Sequence, residues 1–136
     1  MALIDDIKRH EGFSKTIYQD HLGKVTIGIG FLVSTLELDE DICDEILKRL
    51  LIKKEAQIHR KFGWYDGLPQ EAKDIVINMV YQLGLNGFSK FKRTIHYLSE
   101  HKYQACSVEM LDSLWAKQTP NRAKELSDRM AEIENL

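Results

Sequence analysis

Three side chains near the N-terminus have the types and spacing for acid–base chemistry: Glu11, Asp20 and Thr26. Leu3, Ile4 and Ile7 recur at helical spacing and Gly12 supplies a left-handed stop, so Glu11 falls in a last helical turn. Carbonyls there have no intrahelical partner and form the negative end of the helix dipole, which disfavours a carboxylate. Glu11 should therefore hold its proton more tightly than a free Glu, as a general acid must. An ordinary solvated helix-end residue is the competing reading of its position.

Residues 16–20 and 25–29 read as two strands around His21-Leu22-Gly23, with Gly23 at the positive-φ position. If Asp20 lies opposite Lys24, Tyr18 lies opposite Thr26. Alternation then puts Val25, Ile27 and Ile29 on one apolar face, and Asp20, Thr26, Gly28 and Gly30 on the other. Asp20 and Thr26 become diagonal neighbours about 7–8 Å apart at the backbone, able to hold one water between them. Gly28 and Gly30 would leave that face open to another chain. A glycine-rich hairpin with a turn aspartate and no chemistry is the plainer alternative.

The elements that must position these residues follow in order. Residues 31–38 read as a short connection, and Asp39 as an N-cap followed by Glu40 and Asp41 in a first turn. Ile42, Ile46, Leu47, Leu50 and Leu51 form a stripe that Ile58 and Phe62 prolong, giving one long helix toward Gly63. Residues 64–68 form a loop and Pro69 opens the next helix. Ala72, Ile75, Val76, Met79, Val80 and Leu83 make a core stripe ending at Gly84, with Asn78, Tyr81 and Gln82 off its centre. Residues 85–88 read as a turn, with Ser89 capping a helix toward Glu100. Another helix spans about 104–114 with Val108, Leu111 and Trp115 inward. Thr119-Pro120 opens a last helix with Leu126, Met130 and Ile133 apolar and Arg122 in its first turn.

Composition bounds the possibilities. A chain of 136 residues can bury a sizeable single core. A net charge of −2 supplies no global basic field for nucleic acid, and the run Lys90, Lys92, Arg93 reads as a solvated face. Cys43 and Cys106 lie on apolar stripes and are expected as buried free thiols. None of the five histidines shows metal-ligand spacing; His96 and His101 lie off a shared helix face. No metal and no cofactor is therefore expected. No apolar run approaches roughly 18 residues and the N-terminus does not read as a signal peptide, so synthesis in the cytoplasm is expected, a bacterial one if the resemblance described next holds.

Five segments carry a family resemblance: E-G-F at 11–13, Y-x-D at 18–20, T-I-G-I-G at 26–30, I-N-M-V-Y-Q-L-G at 77–84 and W-x-x-Q-T-P-N-R-A-K at 115–124. In this order they bracket almost the whole chain, which resembles the phage-type lysozymes (muramidases, endolysins). The resemblance implies an α+β lysozyme-like fold, mainly helical, with a small hairpin lobe and an interlobe cleft. Its lobes would be a hairpin lobe at about 13–38, shorter than in many members, and a helical lobe of 1–12 and 63–136. A bridging helix over 39–62 would join them. It also implies hydrolysis of the β-1,4 bond between N-acetylmuramic acid and N-acetylglucosamine in peptidoglycan, with Glu11 as acid and Asp20 and Thr26 positioning water. Gly30, Leu32, Tyr81, Gln82 and Thr94 would contact the substrate, Tyr81 standing where a well-known member has Phe. Arg122 would hold the acid and oppose the pKa rise argued above. A separate holin-type pore would release a monomeric enzyme to the wall.

Two positions depart from the family. Phe31 replaces a frequent histidine, removing an ion pair known in relatives, and Glu109 stands where a relative places a substrate-contacting asparagine. A lytic transglycosylase needs the acid but not Asp20 and Thr26, and a non-catalytic peptidoglycan-binding module needs none of the three. A helical nucleic-acid-binding protein fits the charge least.

Overall fold

The computed structural model describes residues 1–135. The chain forms two compact units, Met1–Asp44 and, from Glu45 onward, the rest of the described chain. The first begins with α1 (Ala2–Glu11), which Gly12 stops at φ 73°, its amide donating to the Lys8 carbonyl. Three antiparallel strands follow: β1 (Ser14–Gln19), β2 (Val25–Gly28) and β3 (Phe31–Leu32), in the order β1-β2-β3.

The register agrees with the sequence reading. Tyr18 pairs with Thr26, the Asp20 amide donates to the Lys24 carbonyl at 2.9 Å, and Gly23 turns at φ 76°. Two details differ. The strand expected over 25–29 ends at Gly28, because Gly28 and Gly30 both adopt positive φ (72° and 67°) and turn the chain back. Residues 31 and 32 are consequently a third strand and not part of a connection, with Leu32 opposite Thr26 and Phe31 opposite Ile27.

α2 (Glu40–Lys61) is the expected long helix, and the Asp39 carbonyl accepts from the Cys43 amide at 3.0 Å. Its apolar stripe is buried only at Ile58; Ile42, Ile46, Leu47 and Leu50 stay exposed. Packing covers this helix only toward its C-terminal end, where Ile58 and Phe62 join the core. Cys43, in the first turns, is exposed, contrary to expectation, whereas Cys106 is buried and free as expected.

The second unit continues through a 3₁₀ turn at Tyr65–Gly67 into α3 (Gln70–Ser89), α4 (Lys92–Ser99), α5 (Tyr103–Leu111), α6 (Leu114–Gln118) and α7 (Pro120–Glu132). Pro69 is the N-cap and not the first helical residue, its carbonyl accepting from the Lys73 amide. Gly84 breaks α3 as expected, at φ 76°, but residues 85–89 resume the helix. Ser89 is therefore no N-cap: its hydroxyl donates to the Leu85 carbonyl at 2.7 Å, and α4 begins after Phe91.

The inward face of α5 also differs. Val108 and Leu111 are exposed, while Tyr103, Cys106, Ser107 and Met110 are buried. Ser107 can sit inside because its hydroxyl donates to the Gln104 carbonyl at 2.6 Å and its carbonyl accepts from the Ser127 hydroxyl of α7 at 2.9 Å. Trp115, Leu126, Met130 and Ile133 are buried as expected. Ile75, Val76, Met79, Phe88, Leu98 and Met110 make the centre of one helical core.

The two thiols give a direct check on this packing. Burial pushes the Cys106 thiol up to about 12, so at neutral pH it presents almost no thiolate. In native protein, a thiol reagent at pH 8 should modify one group, Cys43, within minutes, and the second only after denaturation. Titration of two fast thiols would contradict the fold around α5.

Candidate active site

The candidate site residues fall on both units, and each set has its own geometry. In the first unit α1 delivers Glu11, exposed, against the turn between β2 and β3. A Cβ placed on Gly30 would lie 2.5 Å from Glu11 Oε2 and 2.8 Å from Cδ. With any side chain at position 30 the carboxylate would have to leave this place. The neighbouring Gly28 is covered in the same manner by the Phe31 ring, to which a Cβ would come within 2.7 Å. The face that the sequence reading left open is thus filled by the unit's own side chains, and Phe31 has a packing task in place of an ionic one.

Asp20 sits just past β1, where the hairpin turns. Its Oδ1 accepts from the Lys24 amide at 2.8 Å and the Leu22 amide at 2.9 Å. These bonds, the Lys24 one foremost, hold the Asp20 carboxyl below its ordinary value. The carboxylate is thus favoured in the folded hairpin. That contribution is present above the ordinary carboxylate value and is lost as pH falls through the lowered one. Thr26 is the only buried residue among the described residues of the first unit. Its hydroxyl donates to the Lys24 carbonyl at 2.9 Å, which commits its proton and leaves its lone pairs to accept. Leu32 lies directly beside it across the ladder.

In the second unit Tyr81 and Gln82 lie exposed on α3. Gln82 Oε1 accepts from Trp115 Nε1 at 2.8 Å, which fixes the amide orientation. Tyr81 lines an open cavity of about 420 Å³ with Asn78, Ile77, Leu51 and Arg122. Arg122 donates through Nε and Nη2 to Asn78 Oδ1 at 2.9 and 2.6 Å, and through Nη2 to the Asn78 carbonyl at 3.2 Å. The sequence reading missed this role of Asn78; its place one turn before Tyr81 and Gln82 was the available signal. A neutral amide orients the guanidinium without neutralising it. Thr94 is buried on α4 and lines a second open cavity of about 480 Å³. Among the described residues no three His, Cys, Asp or Glu come together as a metal cluster, and no helix is long and apolar enough to cross a membrane.

A helix end that sets a carboxylate on a glycine turn, a three-stranded sheet carrying a second carboxylate, and a helical unit together make an α+β lysozyme-like protein. Comparison with known proteins agrees. The phage lysozyme family model matches residues 8–132. Two curated relatives from Dictyostelium discoideum, probable T4-type lysozymes 2 and 1, are each 28% identical, covering 92% of this chain and 91% of theirs. The pre-baseplate central spike protein Gp5 of Enterobacteria phage T4 is 20% identical over 93% of this chain, which spans only 27% of that protein. The chain therefore belongs to the phage lysozyme family. It is a muramidase-type lysozyme, a glycoside hydrolase with peptidoglycan as its substrate. The match to the first relative runs over 155 positions, so that relative carries residues that this 136-residue chain lacks.

Proposed function

We propose that the protein hydrolyses the β-1,4 bond between N-acetylmuramic acid and N-acetylglucosamine, with Glu11 as general acid and Asp20 and Thr26 positioning the attacking water. One observation carries this reading: the same sheet seats an exposed Glu11 carboxyl on Gly30 and holds Asp20 as a carboxylate through two amides. Two carboxyl groups with different environments are what a glycosidase needs.

The hydrogen bonds also support an orientation for the water. The Thr26 hydroxyl donates to the Lys24 carbonyl, and Asp20 Oδ1 is occupied, which leaves a Thr26 lone pair and Asp20 Oδ2 as acceptors. A water donating to both turns its own lone pair outward, toward an anomeric carbon. Glu11 protonates the leaving oxygen as that carbon gains positive charge, and Asp20 takes the water's proton. Gly30, Leu32, Tyr81, Gln82 and Thr94 are assigned to substrate contact, the aromatic Tyr81 against a pyranose face. Arg122 is assigned the task of holding the acid, for which its uncompensated charge suits it. The lobe boundaries drawn from the sequence, with residues 1–12 counted in the helical lobe, go with this proposal. So do action as a monomer, synthesis in the bacterial cytoplasm and release through a separate pore-forming protein.

Water attack from the face opposite the leaving group inverts the anomeric centre. NMR of the first-formed reducing sugar should show the α anomer before mutarotation; a β product would mean retention and exclude the water-based step. Asp20→Asn keeps an oxygen for the Lys24 and Leu22 amides and removes the charge. It should fold with an unchanged hairpin and lose about 10²-fold or more in turnover. A folded Asn variant with near-normal turnover would remove Asp20 from the mechanism.

A further inference from the structure

α2 keeps an apolar stripe exposed along its first half. Ile42, Ile46, Leu47 and Leu50 are 45, 42, 39 and 38% exposed, and Cys43 is exposed among them. On the helix Cys43, Ile46, Leu47 and Leu50 fall within about 50° of one line, with Ile42 and Leu51 at its edges. A continuous exposed stripe of this kind marks an interaction surface.

The charges beside it show what partner it fits. Glu40, Asp41, Asp44 and Glu45 come first, and Lys48, Arg49, Lys53 and Lys54 follow. The helix dipole favours acids in a first turn, but its reach does not extend to Asp44 and Glu45, nor to bases at Lys48 and Arg49 in mid-helix. A second copy of α2 laid antiparallel meets this order with its own reverse. With the two-fold axis between Ile46 and Leu47, Ile46 faces Leu47 of the second copy, Cys43 faces its Leu50 and Ile42 its Leu51. The same register sets Glu40 against Lys53 of the second copy and Asp44 against its Arg49. Arg49 Nε bonds Glu45 Oε1 at 3.0 Å within the chain, which leaves its Nη groups for that contact. A parallel pair would set acid against acid.

We propose that two copies of the chain pair antiparallel along α2. One helix from each partner makes a small interface, below about 1,200 Å² in total, so the pairing is reversible. It also covers Leu47 and Leu51, which wall the cavity that holds Tyr81 and Arg122. The single chain is therefore the form that acts on the wall, and the pair is a closed form; this consequence alone rests on the lysozyme reading.

Sedimentation equilibrium of the full chain should show the mass rise from one chain toward two between about 1 µM and about 1 mM. Leu50→Asp puts a charge in the exposed centre of the stripe and should hold the protein at one chain throughout. Glu40→Lys and Lys53→Glu each oppose like charges at two places in the pair and should each weaken it about tenfold. Mixed in equal amounts they restore opposite charges at both places and should pair as tightly as wild type. A single-chain mass at every concentration overturns the inference, as does a dimer that Leu50→Asp leaves intact or a mixture no tighter than either charge variant alone. These readings need no activity, so they stand apart from the catalytic proposal. Turnover per chain should fall as wild-type protein pairs and stay constant in Leu50→Asp; turnover that ignores pairing would overturn the closure of the cavity.

Discussion

Replacing Glu11 by Gln should cut turnover on peptidoglycan by about 10²–10⁴-fold, because the amide keeps the shape of the side chain and cannot supply the proton. Stability should change by no more than about 0.5 kcal/mol, since Glu11 is exposed at a helix end. Binding to insoluble peptidoglycan should persist, which places the loss in the chemical step. A folded Gln variant with turnover within a few-fold of wild type would transfer the acid role to another group.

Gly30→Ala should have the next largest effect, and by a different route. At φ 67° an alanine pays for left-handed backbone, about 1–2 kcal/mol. Its methyl would also sit 2.5 Å from Glu11 Oε2, so the carboxyl must move. Displacing a reacting group by about 1 Å can cost roughly 10²-fold in rate. Gly23→Ala supplies the control. It has the same kind of strain, at φ 76°, with nothing within 4 Å of the added methyl. It should lose comparable stability while keeping its rate at temperatures where it is folded. Equal loss of rate in the two variants would show that backbone strain, and not the seat of Glu11, is what Gly30 protects.

Much of the local fold around the candidate residues can be read from the sequence alone because the signals are local. Gly12 stops α1 where a left-handed residue was expected, and the His21-Leu22-Gly23 turn sets the register that pairs Tyr18 with Thr26. The long α2 and the Thr119-Pro120 start of α7 were legible for the same reason, a capping pattern next to a periodic stripe. What escaped depends on tertiary partners. β3 exists because two glycines turn in succession, and alternation by itself extends a strand straight through them. The α5 face was misread because Val108 and Leu111 are the more apolar residues, yet Cys106, Ser107 and Met110 are the ones that α4 and α7 cover. Cys43 follows a stripe that no described residue buries at that end of α2. The Asn78–Arg122 bond joins residues 44 apart in the chain, so the place of Asn78 one turn before Tyr81 and Gln82 marks the residue but not its partner.

Mass spectrometry of the muropeptides released from purified peptidoglycan reads out the proposed Glu11-dependent hydrolysis of the bond between N-acetylmuramic acid and N-acetylglucosamine. Wild-type protein should release disaccharide muropeptides ending in a reducing N-acetylmuramic acid, one water heavier than the corresponding anhydro species, and Glu11→Gln should release almost none. Products ending in 1,6-anhydro-N-acetylmuramic acid, or in reducing N-acetylglucosamine, would contradict it.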